Sequence, residues 1–179
     1  TDVALRITGV EDTKAVGRLT VGLGTVEVTS RVTGYQRREV LTGEVLGTEE
    51  LDLPPSHLTT RGVWWSVPDR VVADAAIAPR DLPGALHAAE HAGIGILPLF
   101  TICDRWDVGG VSTALHQQTG QATIVIYDGY PGGAGIAELG YAAGERHLRA
   151  TLESIVRCRC AHGCPSCVQS PKCGNGNDP

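Results

Sequence analysis

Cys158, Cys160, Cys164, Cys167 and Cys173 crowd the end of the chain in the spacing C-x-C-x3-C-P-x-C-x5-C. Deprotonated thiols are soft anionic donors, and four of them on tight turns can converge tetrahedrally on one zinc ion, each sulfur about 2.3 Å away. Gly163 and Pro165 supply residues suited to such turns. Cys164 and Cys167 form the C-x-x-C half of a zinc knuckle, whose short loop lets backbone amides donate to the sulfurs. Cys160 is the natural third ligand, and Cys158 and Cys173 compete for the fourth place. A disulfide framework suits the pattern less well, because disulfide-stapled domains are small and distribute their thiols along the chain. The irregular spacing also departs from the common ferredoxin runs, which favours zinc over an iron–sulfur cluster. Four thiolates with no open position make a structural site, since a catalytic zinc keeps a water.

Other residue sets carry weaker signals. Asp104, Asp107, Asp128 and Glu138 lie near glycine-rich turns, and clustered carboxylates could hold Mg²⁺ for phosphodiester cleavage, the alternative reading of the chain as a nuclease domain. Asp128 precedes Gly129, which equally suits a turn, and no lysine of the kind that nucleases often add lies nearby. His87 and His91 are four apart, which places two imidazoles on one side of a helix, but no third ligand lies near them in sequence. They are expected as solvent-facing or partly packed side chains. Tyr130-Pro131-Gly132-Gly133 could cradle an anion at a helix N-terminus, and is expected instead as a tight packing turn. Arg146, Arg149, Arg157 and Arg159 form a basic stripe that could touch a DNA backbone, with Glu145 and Glu153 available to neutralise it. Cys103, away from the cluster, is expected as a buried thiol packed like a small hydrophobe.

The elements that must position these groups fall into two segments. Residues 1–67 alternate apolar and polar with many β-branched residues, as in VALRIT, TVEVTS and RGVWWSV, the pattern of antiparallel strands joined by glycine turns. Adjacent Trp64 and Trp65 must point to opposite faces of a strand, so one is expected in the core and the other against a neighbouring domain. Residues 68–179 change to helical texture. Asp81 is placed to cap a helix carrying Leu82, Leu86, Ala89 and Ala92 on one face. The apolar run QATIVIY at 121–127 predicts a fully buried strand, and a single helix is expected from about Ala134 to Arg157, feeding the cysteines. The fold class is therefore α+β: a β-rich N-terminal subdomain, then an α/β body ending in a four-cysteine zinc knuckle.

Composition sets limits. Hydrophobic residues make up 42% and charged residues 20%, and no apolar run reaches the roughly 18 residues of a membrane span. The reading is a soluble, intracellular chain with no membrane partner. A net charge of −5 argues mildly against tight nucleic-acid binding by this piece alone. The only lysines, Lys14 and Lys172, do not follow a phosphate loop, so any ATP site belongs to another part of a longer protein. The start on Thr1-Asp2 and the lack of methionine suggest an excised fragment.

IYDGYPGGAGIAE, followed by CRCAHGCPSCVQSPKCGNGNDP, resembles the C-terminal zinc-binding domain of the MrfA and SftH group of superfamily II DNA helicases. TICDRWDVGGVST is similar to that group's region preceding the final strand, and LDLPPSHLTTRGVWWSVPD, at the end of the 1–67 subdomain, to its connection from the helicase core. The resemblance implies a piece of an ATP-dependent 3′-to-5′ DNA translocase linked to DNA repair and working in the cytoplasm. Its RecA-like ATPase domains, with their ATP and Mg²⁺, would lie upstream as partners. It further implies one zinc held by four of the five terminal cysteines, in a non-catalytic domain that braces the helicase around single-stranded DNA.

Overall fold

The computed structural model describes residues 1–174 and 177. Positions 175, 176, 178 and 179 of the tail motif lie outside the described residues. The alternating N-terminal segment forms β1 (Asp2–Val16), β2 (Leu19–Arg31), β3 (Gly34–Arg38), β4 (Val45–Glu50) and β5 (Ser56–Val67). The second segment contributes α1 (Asp69–Asp74), α2 (Leu82–Ile96), β6 (Val108–Thr113), β7 (Ala122–Asp128), α3 (Ile136–Ala143) and α4 (Glu145–Arg157). Strands β3 and β4 make an exposed hairpin of their own. The other five form one antiparallel sheet in the order β1-β2-β5-β7-β6. The mixed fold expected from the sequence is thus present. Residue 67 marks a change of texture, and the sheet runs across it, because β5 pairs directly with β7.

Both faces of the sheet bury apolar side chains. On one face Val21, Val63, Trp65, Ile124 and Ile126 pack with Leu86 of α2 and with Ile136, Ala137 and Tyr141 of α3. On the other, Ile7, Val26, Val28, Trp64 and Val125 form a smaller core. Trp64 is therefore buried within this chain, at 4% exposure, and so is Trp65, at 3%. The neighbour expected over the second indole is the chain itself. Gln118, in the β6–β7 connection, reaches the far edge of the sheet, where its carbonyl accepts from the Ile7 amide at 2.7 Å and its NH₂ donates to the Ile7 carbonyl at 2.5 Å. Gly22 lies directly opposite Trp64, and a Cβ there would come within 2.3 Å of the indole.

Three local expectations change. The long helix divides at Gly144, whose φ of 44° and ψ of −110° no helix accommodates. Lys14 fills the gap, donating to the Tyr141 carbonyl at 2.6 Å with its ammonium 4.1 Å from the Tyr141 ring centre. Asp81 precedes α2 without a side-chain capping bond; Pro83 in the first turn, which has no N–H to satisfy, favours the helix start instead. Cys103 is half-buried against the main core rather than fully enclosed.

The chain turns from β7 into α3 around Asp128, whose exposure is 0%. Its carboxylate accepts from the amides of Ala134 at 2.5 Å, Ile136 at 3.2 Å and Ala137 at 2.8 Å. These are donors that a helix N-terminus leaves unsatisfied. Removing the carboxylate strands the two buried amides of Ile136 and Ala137 as well as that of Ala134, a cost of about 2–4 kcal/mol. Asp128→Ala should therefore lower the melting temperature by roughly 5–15 °C in circular dichroism, with a smaller loss for Asp128→Asn. An unchanged melt would show that the loop holds itself.

Candidate metal centre

Helix α4 ends where the cysteines begin. Cys158 is its C-cap, already extended at ψ 130°, and its amide donates to the Ile155 carbonyl at 3.3 Å. The chain then turns at Gly163, with φ at 79°, and folds the C-P-S-C segment into a tight loop. In that loop the Cys167 amide donates to the Cys164 carbonyl at 3.0 Å, and the Cys164 amide to the Cys167 sulfur at 3.3 Å. The second bond is the amide-to-sulfur contact expected of a knuckle.

Four sulfurs meet there. The separations are 3.4 Å for Cys158–Cys160, 3.5 Å for Cys158–Cys164, 3.5 Å for Cys160–Cys167 and 3.7 Å for Cys164–Cys167. All four ligand atoms lie within 4.8 Å of one another. A tetrahedron with zinc–sulfur bonds of 2.3 Å has edges of about 3.8 Å. The donor set and its spacing fit one zinc ion. The protons also depend on the crowding. Hydrogen bonding with Cys158 leads the effects that push the Cys160 thiol up to about 12. The Ser166 amide leads those that bring Cys164 down to about 7.

Cys173, the fifth candidate, lies elsewhere: its sulfur is 3.3 Å from Nε2 of His87, and it groups with His87 and His91. The sequence offered no sign of that meeting, because the residues are far apart along the chain. The four arginines of the basic stripe are all exposed. Arg149 pairs with Glu145 at 2.6 Å and Arg157 with Glu153 at 3.6 Å, while Arg146 lies over the Phe100 ring at 5.7 Å.

The acidic residues do not converge. Asp104 accepts from the Trp106 amide at 2.6 Å, Asp107 from the Tyr130 hydroxyl, and Glu138 pairs with Arg61 at 2.6 Å. Asp128 is committed to the α3 amides, so the glycine loop already holds an anion, one from the chain itself. Among the described residues, neither group of three or more close metal-ligating side chains contains an aspartate or glutamate.

The family model for the MrfA Zn-binding domain matches residues 89–168. An uncharacterised protein of Methanocaldococcus jannaschii is 43% identical over 96 residues, which cover 52% of this chain and 86% of that protein. The chain belongs to the MrfA zinc-binding domain family. The helicase YprA of Bacillus subtilis is 32% identical over 166 residues, 93% of this chain and 22% of that protein. The crystal structure of the helicase MrfA bound to DNA superimposes with a TM-score of 0.73 at 30% identity, covering 98% of this chain and 23% of that one. The chain thus spans less than a quarter of these two helicase relatives. The MrfA family match takes in Cys158, Cys160, Cys164 and Cys167 and ends before Cys173.

The thiol environments order their reactivity once metal is stripped. At pH 8 a group near 7 is about ten parts thiolate to one part thiol, whereas one near 12 stays protonated. Brief alkylation of the chelated protein should therefore label Cys164 well before Cys160, read by peptide mass mapping. Lowering the pH through about 7 should slow the Cys164 reaction. Equal rates at the two positions would show that the four sulfurs part once the metal is gone.

Proposed function

We propose that this chain is the C-terminal accessory domain of an ATP-dependent 3′-to-5′ DNA helicase, cytoplasmic and engaged in DNA repair. One structural zinc, held by Cys158, Cys160, Cys164 and Cys167, locks its last helix to its tail. The observation that carries the reading is the closed cluster of four sulfurs at the end of α4. A zinc in such a cluster has no free position for substrate, so its contribution is a cross-link that organises the surrounding turns. The residues of this chain do the rest: α4 delivers Cys158 and Cys160, and the knuckle loop delivers Cys164 and Cys167.

The work of the whole protein belongs partly to segments beyond this one. ATP and Mg²⁺ are assigned to upstream RecA-like domains, because neither Lys14 nor Lys172 follows a phosphate loop. The fragment is not itself catalytic in this reading. Its task is to brace the helicase core around single-stranded DNA. Support comes from the similarity to MrfA, solved with DNA, and from exposed Arg146 and Arg159, which complement a phosphate backbone. Arg149 and Arg157 would exchange their glutamate partners for phosphates, a small loss because exposed helix pairs contribute only about 0.3–0.5 kcal/mol.

Two measurements on the full-length protein test this function. Cys164→Ser should release the zinc and depress unwinding more than ATP hydrolysis, since the ATP site is elsewhere. Retained zinc with normal unwinding would refute the structural role. Replacing Arg146 and Arg159 together with alanine should weaken single-stranded DNA binding and flatten its salt dependence by about 0.7 per lost phosphate contact. An unaltered salt slope would remove this face from the DNA path.

A further inference from the structure

His87 and His91 stand one turn apart on α2, their ring centres 4.2 Å from each other. From the other end of the chain, Cys173 brings its sulfur to 3.3 Å from Nε2 of His87. One ligand atom from each of the three lies within 4.8 Å of the others. An imidazole nitrogen and a thiolate bound tetrahedrally to one zinc ion sit about 3.6 Å apart.

The surroundings are those of ligands rather than of packed bystanders. Nδ1 of His91 is 2.7 Å from the Val168 carbonyl. That contact makes Nδ1 the protonated nitrogen and leaves Nε2 its lone pair, the arrangement by which a backbone carbonyl orients a metal-bound histidine. The Asn177 amide donates to the Cys173 sulfur at 3.3 Å, an amide-to-sulfur contact like the one inside the knuckle loop. Glu90 is only 6% exposed, and its carboxylate lies 3.9 Å from Nδ1 of His87, on the side of the ring away from Cys173. At that distance it is an electrostatic neighbour of the ring, not a hydrogen-bond partner. Lys172 fixes the neighbouring turn by donating to the Arg105 carbonyl at 2.9 Å and the Val108 carbonyl at 2.7 Å.

We propose that His87, His91 and Cys173 form a second metal site, separate from the four-cysteine cluster and selective for a borderline-soft divalent ion such as Zn²⁺. Two imidazoles and one thiolate are donors that discriminate against Mg²⁺ and Ca²⁺. Three protein ligands leave a fourth position for water, and the site borders a cleft of about 560 Å³ that Ser112 and Tyr127 also line. The site accounts for the fifth terminal cysteine and for a glutamate and a histidine buried side by side on α2.

Metal stoichiometry tests the proposal independently of the first site. The purified chain, kept in zinc-containing buffer, should carry two zinc ions by elemental analysis. His87→Gln, His91→Gln and Cys173→Ala should each carry one, and Cys173→His, which restores a donor, should recover the second. Co²⁺ titration of metal-free protein should fill two sites, and the one lost in His87→Gln should show the weaker sulfur-to-metal band, because it contains one thiolate instead of four. Circular dichroism melts would identify any variant that loses metal merely by unfolding. A wild-type chain that binds one ion under both metals overturns the proposal. So does His87→Gln that keeps two ions, or loss of an ion in Cys173→Ala but not in the histidine variants, which would return Cys173 to the terminal cluster.

Discussion

A single buried carboxylate ties the sheet to the helices that lead to the cysteines. Asp128 is the last residue of the interior strand β7, and its three amide partners lie at the start of α3 and just before it. An unpaired charge so deeply buried would be prohibitively costly, but three donors at a helix N-terminus offset its desolvation. From that anchor the chain has little freedom. Helix α3 lies on the sheet, Gly144 redirects the path, and α4 carries the first cysteine to its place. Arg61 reinforces the arrangement from β5, bridging Glu138 of α3 and Glu11 of β1.

Chemistry was legible in the sequence where ligands are close in the chain, and illegible where the fold brings them together. The terminal cysteines could be read as a metal cluster because their spacing alone restricts where their sulfurs can go. Which four meet could not be read, since Cys158 and Cys173 both have the reach and only the path of the tail separates them. His87 and His91 looked ordinary for the same reason: their nearest companion, Cys173, arrives from 86 residues away.

The fold shows a parallel division. Alternation and β-branching announced the strands, and the run at 121–127 announced a strand buried on both faces. The break at Gly144 was hidden, because glycine is tolerated within helices and the apolar stripe continues past it. The covering of Trp64 was hidden too. It depends on the β6–β7 connection crossing to β1 through Gln118, a contact with no local periodicity to betray it.

Adjacent tryptophans leave β5 with a degenerate hydrophobic code. Sliding the strand by one position would still put an indole on each side of the sheet, so the indoles themselves do not choose between the two alignments. What separates them is a steric notch. Gly22 stands opposite Trp64, between Val21 and Leu23, and its missing side chain leaves room for the indole, whereas the space beside Gly24, the other glycine of β2, is taken by the Gly9 carbonyl. The alignment is thus written by a missing side chain, and β7, hydrogen-bonded to the opposite edge of β5, inherits it.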